Sequence, residues 1–321
     1  MGKILVTGAA GFVGFHVCKE LLKQNKQVIG IDNFNDYYNP LLKEKRAALL
    51  TNKNFSLLRQ DFSDYKKLFE AVKDEDIDLI IHLGAQAGVR YSIDNPHVYE
   101  EANLKGTLAI FELARHKHIP KVVFASSSSV YGNTKKTPFS EEDFVDHPIS
   151  LYAATKKANE LMAYTYHHLY NIKMVGLRFF TVYGPWGRPD MAYFSFFKNI
   201  QEGKAIKVFN HGKMQRDFTF IADIVQGILA ATQADLTYEI INLGNNSPEE
   251  LGTFIDILEE EAGKKAVKEM LPMQPGDVLI TYADISKAKK LLNYQPTTSL
   301  KEGLRQFATW YKENESWLKE L

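Results

Sequence analysis

The sequence predicts an α/β protein: a doubly wound parallel sheet of Rossmann type with a smaller mixed α/β lobe. Short runs of apolar, β-branched residues alternate with amphipathic helical patterns through the first half of the chain. These runs are continuously apolar, as expected of parallel strands that helices cover on both faces. The composition, 45% hydrophobic and 24% charged over 321 residues, is that of a globular chain long enough for one large or two modest domains.

The elements of the first half follow one another in regular order. The predicted strands cover residues 3–7, 27–32, 55–59, 78–83, 121–126 and 173–180. Helical patterns lie between them, from the first turn to about Lys23, near 63–73, near 97–118, and in the stretch that contains Tyr152. A strand that returns to the same sheet in parallel needs a crossover connection, and these helices supply it.

The pattern changes after about residue 181. The segment TVYGPWGRPDMAYF contains Gly, Pro and aromatic residues without a strand period, which predicts a structured loop. The remaining predicted elements are a helix at about 191–201, short strands within 205–220 and a helix over 220–233. We therefore predict one domain over 1–181, to which the chain returns at about 220–244, and a smaller lobe formed mainly by 182–321.

Charge and cysteine content exclude several classes of protein. Lys plus Arg and Asp plus Glu each number 39, so net charge gives no reason to expect nucleic acid or an anionic membrane as a partner. Cys18 is the single cysteine and is expected to be a buried structural thiol. No run of about 18 apolar residues is present, and MGKILVTG lacks the pattern of a signal peptide. We expect a cytoplasmic protein.

A glycine-rich turn joins the first strand to the first helix. In VTGAAGFVGFHV, the spacing of Gly8, Gly11 and Gly14 is G-x-x-G-x-x-G rather than the usual G-x-G-x-x-G. The strand–turn–helix context still allows a pyrophosphate to approach the backbone at a helix N-terminus. Asp32 ends the second strand, where a carboxylate accepts hydrogen bonds from ribose hydroxyls and repels a 2′-phosphate, which favours NAD over NADP.

Other candidate cofactor positions follow the same logic, because doubly wound folds bind ligands at the carboxyl ends of their strands. Asp61 follows the third strand and is a candidate contact to the adenine amino group. Small residues follow the fourth strand. The full set of expected cofactor contacts is Gly8, Gly11, Phe12, Val13, Gly14, Asp32, Asn33, Asp61, Phe62, Gly84, Ala85, Gln86, Tyr152 and Lys156.

A candidate proton-transfer site combines two segments. The fifth strand ends in FASSSSVYG, and Tyr152 and Lys156 stand four residues apart in a helical pattern, so their side chains share one face. A neighbouring ammonium and a positively charged nicotinamide both favour the phenolate, so we expect the pKa of Tyr152 to be lowered. A serine at the strand end would orient the reacting oxygen.

With these motifs in the observed order, the chain resembles the extended short-chain dehydrogenase/reductase family, and within it the nucleotide-sugar 4-epimerases. The resemblance runs from TGAAGFVG to the segment ending near residue 292, and it includes LRFFTVYGP and QRDFTFIADI. It implies that Ser127 is the catalytic serine beside Tyr152 and Lys156. It also implies that Tyr152 takes the proton of a sugar C4 hydroxyl while hydride passes to bound NAD and then returns to the opposite face.

Several segments resemble the UDP-glucuronate 4-epimerase subgroup: DNFNDYYNPLLKEKR, AQAGVRYS and GPWGRPDMA. The resemblance places Ser128, Ser129 and Thr181 around sugar C5, where a hexuronate carries its carboxylate. Neutral-sugar epimerases usually have asparagine at the position of Thr181. In this interpretation residues 1–181 bind NAD and residues 182–321 mainly bind the UDP-sugar.

Three arginines are the candidate cations for the substrate. The resemblance implies that Arg216 contacts the UDP pyrophosphate and that Arg188 closes the UDP-sugar pocket. Arg90 is assigned to the substrate side without a choice between a substrate contact and a helix end. A second pyrophosphate arginine is common in the family, but this chain has Gln274 there, with Asp277 as a candidate ribose contact.

Other functions remain open at this stage. A 4-epimerase of a neutral or N-acetylated UDP-hexose differs at the Thr181 position, and a UDP-glucuronate decarboxylase shares the first 4-keto intermediate. A 4,6-dehydratase is disfavoured, since it needs an Asp-Glu pair where this chain has Ser128 and Ser129. A non-catalytic NAD-sensing protein is disfavoured by the intact Ser127, Tyr152 and Lys156.

The resemblance also implies a homodimer. The helical patterns near 97–118 and 152–170 correspond to the pair that forms a four-helix bundle between subunits in relatives. No metal is expected, because nothing converges on the histidines of these helices and their ends, which are His116, His118, His167 and His168.

Overall fold

The computed structural model describes residues 2–273 and 279–321. Its strands are β1 Lys3–Thr7, β2 Val28–Asp32, β3 Phe55–Arg59, β4 Ile77–His82, β5 Lys121–Ser127, β6 Lys173–Phe179, β7 Thr181–Tyr183, β8 Ala205–Phe209, β9 Gln215–Phe220, β10 Tyr238–Leu243, β11 Pro248–Glu250, β12 Val267–Leu271 and β13 Ile280–Thr281.

The helices connect these strands and cover the sheet. They are α1 Phe12–Lys23, α2 Leu41–Ala48, α3 Tyr65–Val72, α4 Tyr91–Asp94, α5 Pro96–Tyr99, α6 Gly106–His116, α7 Leu151–Tyr170, α8 Ala192–Glu202, α9 Ile221–Gln233, α10 Leu251–Ala262, α11 Ser286–Leu292, α12 Leu300–Glu313 and α13 Glu315–Leu318. A π-helical segment, Glu100–Lys105, joins α5 to α6, and short 3₁₀ turns follow β5 and β8.

Within the described residues, seven strands form one parallel sheet in the order β10-β6-β5-β4-β1-β2-β3. Its pairing aligns the carboxyl ends of the central strands, since Thr7 is in register with both Ile31 and His82. The order reverses on either side of β1 and β4, which is the switch point where doubly wound folds form ligand crevices. The predicted fold class is confirmed.

Alternating side chains of each central strand pack against helices on opposite faces. In β1, Ile4 and Val6 belong to one buried cluster, which includes Phe15 of α1, and Leu5 belongs to a second cluster, which includes Leu68 of α3. Both faces are therefore dry, and this explains why the strands are continuous apolar runs in the sequence. Polar groups are placed at the carboxyl edge.

Smaller sheets build the rest of the molecule. Strand β9 pairs with β7 and β13 in parallel and with β11 in antiparallel, while β8 pairs with β12. Helix α9 lies between β9 and β10, packs on α1, and leads the chain back to the edge of the large sheet beside β6. Residues 184–191, between β7 and α8, lie next to the carboxyl edge of that sheet.

Three sequence predictions need correction. The helix predicted near 97–118 is interrupted by the π-helical segment, and the predicted loop after residue 181 begins with strand β7, which is formed by pairing to β9. Helix α2 was not predicted, because it has only eight residues, four of them charged. Sequence periodicity alone does not predict a strand such as β7, which depends on pairing to β9, or a helix as short as α2.

A buried ion pair joins α7 to β6. Arg178 donates from Nε and Nη2 to the two carboxylate oxygens of Glu160, at 2.8 Å each, and both side chains are under 5% exposed. Ser126 Oγ donates to the same carboxylate at 2.6 Å, and Arg178 Nη1 donates to the Tyr131 hydroxyl at 3.0 Å. The pair therefore supports the strand end that carries the serines.

We expect Glu160→Gln to lower the free energy of unfolding by about 3–5 kcal/mol, because it leaves a buried guanidinium without its counter-charge. Urea denaturation followed by circular dichroism measures this change. The control is Glu260→Gln, which removes an exposed partner of Lys301 and is expected to cost less than about 1 kcal/mol. Equal effects of the two substitutions would contradict this account of the buried pair.

Among the helices of the described residues, none combines the length and apolar character needed to cross a bilayer.

Candidate active site

The glycine-rich turn brings the backbone of β1 close to the loop after β4. Gly8 has φ +68°, and a Cβ atom there would lie 2.9 Å from the backbone of Gly84. A Cβ atom on Gly14 would lie 2.0 Å from the carbonyl oxygen of Gly8, so α1 can start directly over the turn only with glycine in that position. The turn thus exposes peptide groups at the N-terminus of α1, where a pyrophosphate is favoured.

Two carboxylates lie beside this turn. Asp32 is 6% exposed and accepts hydrogen bonds from the backbone N–H groups of Ala10 at 3.0 Å and Phe34 at 2.9 Å. Asp61 accepts from Asn33 Nδ2 and from Ser63 N, each at 2.8 Å. Burial alone would raise the pKa of Asp61, but these hydrogen bonds outweigh it and lower the pKa.

A neutral histidine supports the end of β4. His82 Nδ1 lies 2.7 Å from the Thr7 hydroxyl, which also accepts from the N–H of Gly84 at 3.0 Å, and Nε2 lies 3.0 Å from the Thr107 hydroxyl. Burial lowers the pKa of His82 to about 3, so this network keeps one protonation state. It fixes Gly84 against Gly8.

The candidate catalytic residues line the same cavity, which has a volume of about 450 Å3. Ser127 ends β5, and its Oγ accepts from the backbone N–H of Ser129 at 3.1 Å. Tyr152 and Lys156 stand in the first turns of α7, which begins after the N-cap Ser150. Lys156 is 4% exposed and donates to the carbonyl oxygen of Ala125 at 2.9 Å.

The expected lowering of the Tyr152 pKa is not produced by the protein's own groups. Burial raises the pKa, and the hydrogen bond with Ser127 and the charge of Arg188 lower it only in part. Lys156 does not enter this balance, because its ammonium is directed to Ala125; burial lowers the pKa of Lys156 to about 8. The sequence predicts that two positive charges lower the Tyr152 pKa, the Lys156 ammonium and an oxidised nicotinamide. The ammonium does not lower it here, so the charge of a bound, oxidised nicotinamide is the remaining expected cause.

All the predicted cofactor and catalytic positions line this one cavity, together with part of the predicted substrate set. The substrate positions present are Ser128, Ser129, Thr181 and Arg188. Arg188 donates from Nε and Nη2 to the carboxylate of Asp190, at 3.0 and 2.5 Å, and Asp190 also accepts from the Tyr37 hydroxyl at 3.2 Å. A guanidinium paired in this way is held in a defined orientation.

The other predicted substrate residues are not among the residues that line the cavity. Arg90 is exposed and lies over the ring of Phe209, 5.6 Å from its centroid. Arg216 donates to its neighbour Gln215 at 2.8 Å and to the Leu279 carbonyl at 3.4 Å. Gln274 and Asp277 lie outside the described residues.

The cavity also contains residues that the sequence did not single out individually. Three of them, Asn35, Tyr37 and Tyr38, come from the connection between β2 and α2, and Lys43 lies in the first turn of α2. Lys43 is 5% exposed and donates to the backbone and side-chain oxygens of Asn35, at 2.9 and 2.6 Å. The segment 32–46 carries part of the family resemblance, but it has no helical or strand periodicity from which the directions of these four side chains could be predicted.

These residues fit a dinucleotide. The close glycine contacts leave the pyrophosphate position open to backbone N–H groups, and Asp32 stands at the second strand end within the cavity. Ser127, Tyr152 and Lys156 line the same space, as do the hydroxyl groups of Ser128, Ser129 and Thr181 and the guanidinium of Arg188. The arrangement can hold a nucleotide cofactor against a polar, anionic substrate and exchange a proton with it.

Comparison with protein families gives one match that spans most of the chain. Residues 4–244 match the NAD dependent epimerase/dehydratase family. An uncharacterized protein of Methanocaldococcus jannaschii is 60% identical over 321 residues, covering 99% of this chain and 98% of that protein.

Similar proteins with a named activity include the following two. A UDP-glucuronate 4-epimerase of Thermodesulfobacterium geofontis is 47% identical, over 100% of this chain and 99% of its own length. Among solved structures, the UDP-glucuronic acid 4-epimerase from Bacillus cereus in complex with UDP-glucuronic acid and NAD is similar, with a TM-score of 0.90 and 38% identity over 97% of this chain and 99% of that chain.

Proposed function

The chain belongs to the NAD dependent epimerase/dehydratase family, and from this premise we propose that it is an isomerase that converts UDP-glucuronate to UDP-galacturonate. The reaction is a C4 epimerisation through a 4-keto intermediate, with NAD as a regenerated cofactor. The observation that carries the proposal is that one cavity is lined by Ser127, Tyr152 and Lys156 together with the glycine-rich turn and the hydroxyls of Ser128, Ser129 and Thr181. Similarity to the B. cereus enzyme supports the same substrate and cofactor.

The chain's own residues handle the proton. Tyr152 accepts the proton of the C4 hydroxyl as C4 is oxidised and donates it back when C4 is reduced on its other face. Ser127 holds the C4 oxygen and the phenol in hydrogen-bond contact. Lys156 lies one helical turn from Tyr152 and lines the same cavity, where its ammonium would hold the bound cofactor beside the base. The bound cofactor supplies a hydride acceptor that becomes the donor in the second half of the cycle.

The hydroxyls of Ser128, Ser129 and Thr181 hold the C5 carboxylate. Hydroxyl donors bind a carboxylate through charge-assisted hydrogen bonds without neutralising it. Such hydrogen bonds stabilise the localised carboxylate charge, which loss of carbon dioxide would disperse, so they oppose decarboxylation while C4 is a ketone and favour an epimerase over a decarboxylase.

The test is to incubate the purified protein with UDP-glucuronate, with and without added NAD, and to resolve the products by NMR. UDP-galacturonate without release of carbon dioxide is expected. UDP-xylose or its 4-keto precursor would replace the proposal by the decarboxylase. Turnover of UDP-glucose or UDP-N-acetylglucosamine alone would replace it by a neutral-sugar epimerase.

Thr181 is expected to select the uronate. Thr181→Val keeps the shape of the side chain and removes one hydroxyl, so we expect kcat/KM for UDP-glucuronate to fall about 10-fold or more, as for loss of a hydrogen bond to a charged group. Initial rates with UDP-glucuronate and UDP-glucose measure the selectivity. Any residual rate on UDP-glucose, which has no carboxylate, should stay within about 2-fold. An equal loss on both sugars would assign Thr181 to another role.

We also propose that the chain forms a homodimer through α5, α6 and α7. We propose a cytoplasmic location for it as well. Large apolar side chains are exposed on these elements: Val98, Leu108, Leu161, Tyr164 and Leu169. Burying them in a four-helix bundle removes apolar surface from water. We expect light scattering to give twice the chain mass of 36.6 kDa, and the monomer mass at all working concentrations would refute the dimer. The free, buried Cys18 suits a reducing compartment.

The division of labour along the chain is a further part of the proposal. Residues 1–181, with the return at about 220–244, bind NAD, and residues 182–321 mainly bind the UDP-sugar. The place of β10 in the large sheet supports the return, and the place of Arg188 in the cavity supports the second assignment.

A further inference from the structure

Three consecutive carbonyl groups after β7 are held by two basic side chains from the first part of the chain. The carbonyl of Pro185 accepts from Nε2 of His16 on α1 at 2.9 Å. The carbonyl of Trp186 accepts twice from Arg46 on α2, from Nε at 3.0 Å and from Nη2 at 2.5 Å. The carbonyl of Gly187 accepts from the same Nη2 at 3.0 Å. The backbone of this turn is therefore attached to α1 and α2.

Arg46 is an unusual cation. Its side chain is fully buried, and no carboxylate of residues 2–273 and 279–321 forms an ion pair with it. Its remaining donor, Nη1, bonds to the carbonyl of Ala10 at 3.0 Å and to the hydroxyl of Tyr38 at 2.7 Å. Burying a charge among neutral acceptors is costly, and core packing alone would be served by an apolar side chain. Arg46 makes five hydrogen bonds to four acceptors, an arrangement that only the planar guanidinium with its five N–H groups supplies.

The turn that Arg46 holds is strained. Trp186 has φ +62°, a conformation that is rare for a large side chain. Its indole ring packs against Phe15, Trp310 and Trp317, with centroid separations of 5.7, 5.2 and 5.6 Å. Aromatic packing thus holds the ring of Trp186, and Arg46 holds its carbonyl group. The side chain and the backbone of this residue are therefore both fixed. When surrounding contacts hold a strained backbone conformation next to a cavity, they indicate that the neighbouring residues must be kept in a defined position.

The residue whose position depends on this turn is Arg188. It follows Gly187 directly and lines the cavity that contains Tyr152. At the other end of the contact chain, the N–H of Ala10, whose carbonyl Arg46 holds, donates to Asp32 at 3.0 Å. Contacts therefore run without a break from the predicted ribose carboxylate to the start of the substrate loop.

We propose that Arg46 is a positioning residue that holds the Trp186–Gly187 turn against the glycine-rich turn and so keeps Arg188 directed into the substrate cavity. This inference rests on the proposed function for the identity of the ligand. Arg46 itself does not line the cavity. Its contribution to substrate binding is therefore made through Arg188, and removing Arg188 should remove that contribution.

A double-mutant cycle on the full-length, NAD-loaded protein tests this dependence. Dissociation constants for UDP-glucuronate are measured by calorimetry in a Tyr152→Phe background, which keeps the bound sugar unreacted, for Arg46→Met, Arg188→Met and the pair. We expect Arg46→Met to weaken binding about 10-fold or more when Arg188 is present and less than about 2-fold when it is absent. Equal losses in both settings, or no loss when Arg188 is present, would overturn the proposal.

Further variants separate positioning from loss of stability. Arg46→Lys keeps the charge but cannot reach Ala10 and Gly187 together, so it should show the same dependence on Arg188 and serves if Arg46→Met does not fold. Val72→Ala, in the separate buried cluster of α3, lowers stability and should leave the dissociation constant unchanged; a loss equal to that of Arg46→Met would overturn the proposal. If the background protein binds UDP but not UDP-glucuronate, the proposed function fails, and the same cycle is measured with UDP.

Discussion

Tyr152→Phe is expected to lower kcat for UDP-glucuronate by a factor on the order of 10³, the middle of the range for loss of a general base. The change removes one oxygen atom. The ring keeps its edge contact with Tyr99, whose centroid lies 6.0 Å away, so the fold and the shape of the cavity should persist. We expect KM to change less than about 3-fold, because the phenol acts mainly in the transition state.

Steady-state rates measured by product NMR decide this prediction. The matched control is Tyr170→Phe, the same substitution at the exposed C-terminal end of the same helix, which should leave kcat within about 2-fold. If Tyr152→Phe retained full activity, the phenol would not be the base. The chain would then be better described as an NAD-binding protein that has kept the fold without its chemistry.

The second large effect is expected at Lys156, where activity and stability should move in opposite directions. Lys156→Met removes an ammonium that is a predicted cofactor contact one helical turn from the base, and we expect kcat to fall about 100-fold because the cofactor is then less well positioned. The same ammonium is 4% exposed, and burial lowers its pKa to about 8. Removing the ammonium removes the cost of burying a charge but also removes its hydrogen bond to Ala125. Together, these two effects should raise the free energy of unfolding at pH 7 by about 2 kcal/mol.

The sign of this stability change depends on pH. The folded-state pKa of Lys156, about 8, lies below the ordinary lysine value of 10.5. Between these two values the unfolded chain binds more protons than the folded one, so wild-type stability rises with pH. The advantage of Lys156→Met should therefore be largest below pH 8 and shrink as the pH approaches 10.

Urea denaturation at pH 7 and pH 9.5, on protein stripped of nucleotide, measures this difference without the stabilisation that bound cofactor adds. Lys157→Met, one residue away and ion-paired with Asp146 at 3.5 Å, is the control and should change stability by less than about 1 kcal/mol. A less stable Lys156→Met variant at pH 7 would show that the charge is compensated in the folded protein.

Local signals were sufficient for the sheet and the glycine-rich turn. Strand β3, for example, has the bounds expected from its apolar run, and Gly8 and Gly14 occupy positions where a Cβ atom would collide with backbone. The carboxyl ends of parallel strands meet at one edge, so Asp32 and Ser127 could be assigned to one crevice before any distance was known.

The remainder depends on contacts between segments far apart in sequence. Nothing in GPWGRPDMA indicates that Trp186 has a positive φ, or that its carbonyl is held by Arg46, 140 residues earlier. The direction of an arginine side chain likewise depends on tertiary contacts that the sequence does not show. Arg188 points into the cavity, whereas Arg216 bonds to backbone carbonyls near its own strand. The orientation of Lys156 towards Ala125 was missed for the same reason.

The most direct measurement follows deuterium from C4 of the sugar. The purified protein is incubated with UDP-[4-²H]glucuronate in ordinary water, and the product is examined by NMR. Oxidation and reduction at C4 within one closed site predict UDP-galacturonate that retains deuterium at C4, because hydride carried by the cofactor does not exchange with water. UDP-galacturonate with solvent hydrogen at C4, or a product that has lost its carboxylate, would contradict the account.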